Sequence, residues 1–195
     1  MPRKPAMFNT DLVPLRGPLP TAIAASVGAT LARHAYLDWV LGQVMYSLME
    51  ISIRQGRVIL KLPRPRQYIA AVHDLFEFHG LATDYNFEQL ARRLEAAERV
   101  RALLTRSAYM RDTASRTLRI QIARALWDPG PGGETQPESQ VVDRRFLAAR
   151  RKEVEDAIRA AERLRRTTDR MLRALHEMRR KRPRLDRRRG LSRGG

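Results

Sequence analysis

The sequence predicts an all-α fold: a helical bundle of about four to five helices, with a long basic helix near the C-terminus and disordered termini. Three observations carry this. Apolar residues recur at three- and four-residue spacing through most of the chain. Proline and glycine gather in a few places, chiefly 1–20 and 128–140, and leave long stretches between them for helices. The last quarter repeats apolar and small residues at heptad spacing among many arginines.

Residues 1–20 hold five prolines and little periodicity, so an extended N-terminal arm is expected there. A bundle core is expected over 21–127. Its first helix runs from Thr21 to Gln55 and ends at Gly56. Leu37, Val40, Leu41, Val44, Leu48 and Ile51 line one face, and Trp39, Tyr46, Met49 and Ile53 much of the other. A helix apolar on two sides is buried deeply or shared with a second subunit, so a homodimer is expected. Arg57 to Pro63 is short, β-like and ends in proline, which suits an extended connection.

Arg64 to His79 forms a second helix, with Tyr68, Ile69, Val72, Leu75 and Phe76 inward and Gly80 at C′. A third starts at Asn86, where Gln89 completes a capping box, and reaches about Leu104. Tyr109 to Trp127 reads as a fourth, central helix. Ala114, Leu118, Ile122, Ala125 and Leu126 form one apolar stripe, and Ile120, Ala123 and Trp127 another. Three glycines and three prolines make Asp128–Gln140 part of a surface loop over 128–141. The final helix spans 142–182, with Leu147, Val154, Ala161, Thr168 and Leu175 at one heptad position and Ala157, Leu164, Met171 and Met178 at the other. It packs on the bundle first and then projects. Pro183 ends it, and 183–195 is a disordered basic tail.

The net charge of +17 is uneven. Residues 144–195 hold 20 basic and 7 acidic residues, and 179–195 hold nine against one. Such a field attracts polyanions, so nucleic acid or an acidic protein is the expected partner. Phosphate contact falls to Arg179, Arg180, Lys181, Arg182, Arg184, Arg187, Arg188 and Arg189. No aromatic residue lies in this tail, so base stacking is not expected from it.

Chemistry motifs are few. The chain has no cysteine, which fits a reducing compartment, and a cytoplasmic location is expected. No uncharged run is long enough for a transmembrane span. The four histidines show no HExxH, and no metal or other cofactor is expected. The glycine-rich loop lacks the Gly-Lys-Ser/Thr of a phosphate loop, and no nucleophile elbow occurs. A non-enzymatic protein is the expectation. In the apolar helices a buried ion pair is expected between Glu50 and Arg119.

An early helix carrying Tyr46 and Glu50, a later one ending in Trp127, a glycine-rich turn and a last long helix make a layout. It resembles the small bacterial HEPN-like helical bundles over roughly residues 25–178. In that family the later helix carries an Arg-Asn-x-x-x-His or similar motif, whose Arg and His act on RNA in a composite dimer site. Aligned on Trp127, Arg119 matches, but Ile120 stands for the Asn, Arg124 for the His and Ala125 for the Gly. The resemblance therefore implies a relative without the catalytic acid/base. A separate Arg-x6-His pair, Arg66 and His73, supports the alternative of a HEPN-like ribonuclease. A phage or mobile-element structural protein is a third reading of the same basic helix.

Overall fold

The computed structural model describes residues 12–59, 64–121 and 139–190, with side chains at 12–56, 64–121 and 139–181. Among them are five helices and four short strands. The order is β1 (Leu12–Pro14), α1 (Thr21–Leu48), α2 (Ile53–Ile59), α3 (Pro65–Phe78), α4 (Phe87–Arg106), β2 (Ala108–Asp112), β3 (Leu118–Gln121), β4 (Ser139–Val141) and α5 (Arg144–Gly190). The fold is a helical one, as expected, with a small antiparallel sheet added. The chain divides into two compact units. One holds residues up to Tyr36 with Arg92–Ala157; the other holds Leu37–Ala91 with residues from Ile158 on. No helix among the described residues is long and apolar enough to cross a membrane.

The first unit contains the sheet, whose order is β1-β2-β3-β4 with every pair antiparallel. This corrects the expected central helix. From Tyr109 to Gln121 the chain is a β-hairpin, and Ile122 to Trp127 lie outside the described residues. The turn explains the change. The Oδ1 of Asp112 accepts the backbone N–H groups of Ala114 and Ser115, an Asx-type turn that competes with helix. Arg116 follows with φ 55°, outside helical space. Tyr109, Thr117 and Ile120 are good strand formers. Met110 on β2 and Ile120 on β3 are buried, while their chain neighbours are not.

Two further corrections concern the sheet edges. Part of the expected arm is β1, where Pro14 sits on an edge strand that tolerates it. The end of the expected loop is β4, paired with β3. Asp143 then caps α5, its Oδ1 accepting the N–H of Phe146 at 2.7 Å. Val27, Leu94, Ala97, Val100, Leu104, Leu147, Val154 and Ala157 supply the helical core of this unit. The buried His34 lies 3.6 Å from Glu98, which also accepts a two-pronged bond from Arg101.

In the second unit, α1 stops earlier than the sequence suggested. Glu50 donates its N–H to Ser47 O and Ile51 donates to Tyr46 O, with Glu50 at φ 53°. This is a Schellman ending with glutamate at the left-handed C′ position. A new helix starts at once because Ser52 and Gln55 form a reciprocal capping box. Gly56, expected as a helix end, is instead buried inside α2, and the predicted extended Arg57–Ile59 is helical. A Cβ on Gly56 would overlap the Tyr46 ring.

The rest of this unit follows the pattern more closely. Leu37, Val40, Leu41, Val44 and Leu48 of α1 are buried, as are Tyr68, Val72 and Phe76 of α3. Tyr68 donates to Leu41 O, and Tyr85 donates to Ala160 O at 2.7 Å. Gly80 takes the C′ position of α3 with φ 66°, and Asn86 caps α4 through the Gln89 N–H. On α5 the predicted seam is buried through Ala161, Leu164 and Thr168 and then gives out: Leu172 is buried in place of the expected Met171 and Leu175, which are half-buried, and Met178 is 61% exposed. The helix continues through Pro183 to Gly190, where an end and a tail were expected. A proline inside a helix removes one hydrogen bond and crowds the preceding turn, at a cost of about 3 kcal/mol, although its fixed φ is itself helical.

Candidate functional site

The basic surface of α5 is built by helical periodicity. Arg159, Arg163, Arg166, Arg170 and Arg173 are all exposed and succeed one another at four- and three-residue steps. That spacing puts them on one face, opposite the buried Ala161, Leu164, Thr168 and Leu172. At 1.5 Å per residue the stripe is about 21 Å long. Glu162 and Asp169 lie to one side of it, and Glu162 pairs with Arg166 at 3.6 Å. Glu177 takes the next place along the face, followed by Arg180. On the inner side Arg165 lies over the Trp39 ring, 5.9 Å from its centroid.

Of the residues expected to contact phosphate, Arg179, Arg180 and Lys181 are exposed on the last part of α5 with described side chains. Arg182, Arg184, Arg187, Arg188 and Arg189 lie on the helix but beyond the described side chains. The stripe before this end, Arg159 to Arg173, lies outside the expected phosphate contacts. The signal was present: arginine every third or fourth residue, out of phase with the heptad seam.

Beside the basic run sits a polar junction. His176 Nε2 lies 3.2 Å from Glu50 Oε1. That hydrogen bond, with the charges of His176, His79 and Arg179, holds the Glu50 carboxyl below its ordinary range against the opposing effect of desolvation. His79 in turn places Nε2 2.5 Å from Leu48 O. The expected buried pair of Glu50 with Arg119 is therefore corrected on both sides. Glu50 is exposed and bonds His176. Arg119 lies on β3, donates to Ser139 Oγ at 2.9 Å and faces Asp112 at 3.6 Å. The pair presupposed a helix at Arg119, and the hairpin removes that premise.

Arg66 and His73 both lie on α3, seven residues and thus about 10 Å apart along the axis. Each faces a carboxylate: Arg66 faces Glu88 at 4.0 Å, and His73 faces Glu77 at 3.7 Å. His73 also meets the edge of the Phe87 ring. His73, Asp74 and Glu77 bring three potential ligand atoms within 4.8 Å of one another, a grouping the sequence reading passed over although His73 and Glu77 are four apart. All three are exposed, where water competes for any ion, and the His–Glu contact is ordinary for one helix face. In comparison with known proteins, no family model, no curated protein and no solved structure matches this chain.

Proposed function

We propose that this protein is a non-enzymatic, cytoplasmic helical protein that binds nucleic acid or another polyanion, without sequence preference, through its basic C-terminal region. One observation carries the reading: five exposed arginines of a single sign on the outer face of α5, running on toward Arg179, Arg180 and Lys181. Guanidinium forks match phosphate oxygens, and a line of them along a stiff helix tracks a backbone. Nothing in such a stripe reads base edges, so binding is electrostatic and falls steeply with salt.

The ribonuclease alternative takes second place. Arg66 and His73 are exposed on one face of α3 and each already faces a carboxylate, Glu88 and Glu77; among the described residues no buried cleft lies between them to hold a phosphate. The structural-protein alternative shares the stripe and adds no observation of its own.

The test uses the full chain and a variant carrying Arg163→Gln, Arg170→Gln and Arg173→Gln. Affinity for labelled duplex DNA, single-stranded RNA and anionic vesicles is read by anisotropy and sedimentation across salt. The variant should bind nucleic acid about tenfold more weakly or worse at 0.1 M salt. Equal affinity of parent and variant sinks the reading. Light scattering on the same samples reads the expected self-association.

A further inference from the structure

Phe78 is the most exposed large apolar side chain among the described residues, at 82%. It ends α3, and its ring meets the edge of the His79 ring with centroids 5.3 Å apart. His79 is held against α1 through Leu48 O. Two residues beyond Leu48, Glu50 bonds His176 of α5. His176 comes three residues before Arg179, and Met178 between them is also exposed. One end of the second unit thus gathers an uncovered aromatic ring, two imidazoles and the start of the run Arg179-Arg180-Lys181. The sequence alone put no aromatic near that run; the fold supplies one.

What such an end fits is decided by its two chemistries together. Unpaired bases carry open π-faces, and their backbone carries the charge that the cations lack. A duplex keeps its bases stacked and would use the cations alone. A second copy of this chain would bring like charge against like charge across a twofold interface. A lipid surface calls for a broad apolar face rather than one ring and a methionine.

We infer that this end is a single-stranded nucleic-acid site, in which a base stacks on Phe78 while the neighbouring phosphate lies on Arg179, the cation of the run nearest the Glu50 junction, with Arg180 and Lys181 adding charge around the helix. The inference rests on the charge-driven reading above and names its ligand.

The test uses the full chain with a labelled oligothymidylate of about twelve nucleotides, within the span of small single-strand sites. An abasic strand of equal charge, a duplex of equal length and anionic vesicles are the other probes. The parent should prefer the base-bearing strand to the abasic one. Phe78→Ala should weaken binding of the base-bearing strand by about tenfold and leave the abasic strand and duplex unchanged. Phe78→Tyr should keep the parent's affinity. Because the ring is exposed, its removal leaves the core intact, and circular dichroism checks this. Equal affinity of Phe78→Ala and parent for the base-bearing strand overturns the inference. So does an effect of Phe78→Ala confined to vesicle binding or self-association. Salt-steep binding of strand, abasic strand and duplex alike would overturn the stacking site while sparing the charge reading; no binding to any probe would end both.

Discussion

His176 bonds Glu50, and Glu50 is the residue that closes α1 in the left-handed region, at φ 53°. The two facts belong together. A glutamate in that conformation carries a steric cost that glycine does not, on the order of 1 kcal/mol. The bond to α5 and the nearby cations offset part of it.

The first prediction concerns pH. The folded Glu50 carboxyl titrates below its ordinary 4.5 because His176 bonds it and cations face it. A depressed carboxyl contributes stability that is present above about pH 4.5 and is lost as pH falls through the folded value. Glu50 is largely solvent-exposed, so the contribution is below about 1 kcal/mol. Urea denaturation at pH 6.5 and pH 3 should show parent and Glu50→Gln converging at the lower pH. The acid loss due to Asp112, held low chiefly by its bond from the Ser115 N–H, should persist in the variant. A stability gap between the two proteins that is unchanged from pH 6.5 to pH 3 would count against the pairing.

The second separates backbone from side chain at the same position. Glu50→Ala loses the His176 bond and keeps the left-handed strain. Glu50→Gly loses the same bond and removes the strain. The glycine variant should therefore be the more stable of the two, by about 1 kcal/mol, as read from denaturant midpoints. In an ordinary helix the order would be reversed.

Particular residues show what the sequence revealed and what it hid. Gly80 and Asn86 were readable because their chemistry admits one local role: a left-handed stop and an N-cap. The seam on α5 was readable because burial repeats the heptad through Thr168. The break between α1 and α2 was also written, as Ser52-Ile53-Arg54-Gln55, but apolar residues on both sides disguised it. The hairpin was harder. Leu118, Ile120 and Ile122 alternate, yet Leu118 and Ile122 also satisfy a helical stripe; Asp112 decided the matter through two backbone bonds. The pairing of Glu50 with His176 joins residues 126 apart, and no local pattern encodes that.

Gly56 gives the third prediction. Alanine favours a helix over glycine by about 1 kcal/mol, so propensity alone says Gly56→Ala should stabilise α2. The Tyr46 ring occupies the space a Cβ needs. Overpacking should win, with a net loss of about 1–3 kcal/mol by chemical denaturation. Adding Tyr46→Ala should make the glycine substitution close to neutral or favourable, since the obstructing ring is gone. Additive losses from the two changes would refute the close approach.

The fourth tests the sheet. Ile120 is fully buried on β3, between β2 and β4. Ile120→Ala should cost about 2–5 kcal/mol, whereas Ile53→Ala, at a 47% exposed position on α2, should cost far less. Thermal melts of both variants measure the contrast, and similar melting temperatures would contradict the placement of Ile120 in the core.

The last prediction apportions binding between the stripe and the end of the chain. Each phosphate contact contributes about 0.9 to the logarithmic salt slope on duplex DNA and about 0.7 on single strands. Neutralising Arg163, Arg170 and Arg173 should therefore lower the slope by about 3 on duplex and about 2 on single strands if all three touch phosphate. Residues 182–195 hold six basic residues and one acid, so their deletion makes a second, independent change. With both surfaces in use, the two reductions add, because the two groups are well separated along the chain. If the deletion alone accounts for the whole slope, the stripe is a solvated face and no more. If the stripe variant alone does, the basic end is a passive extension, and the stretch of α5 from Arg159 to Arg173 is where polyanion meets protein.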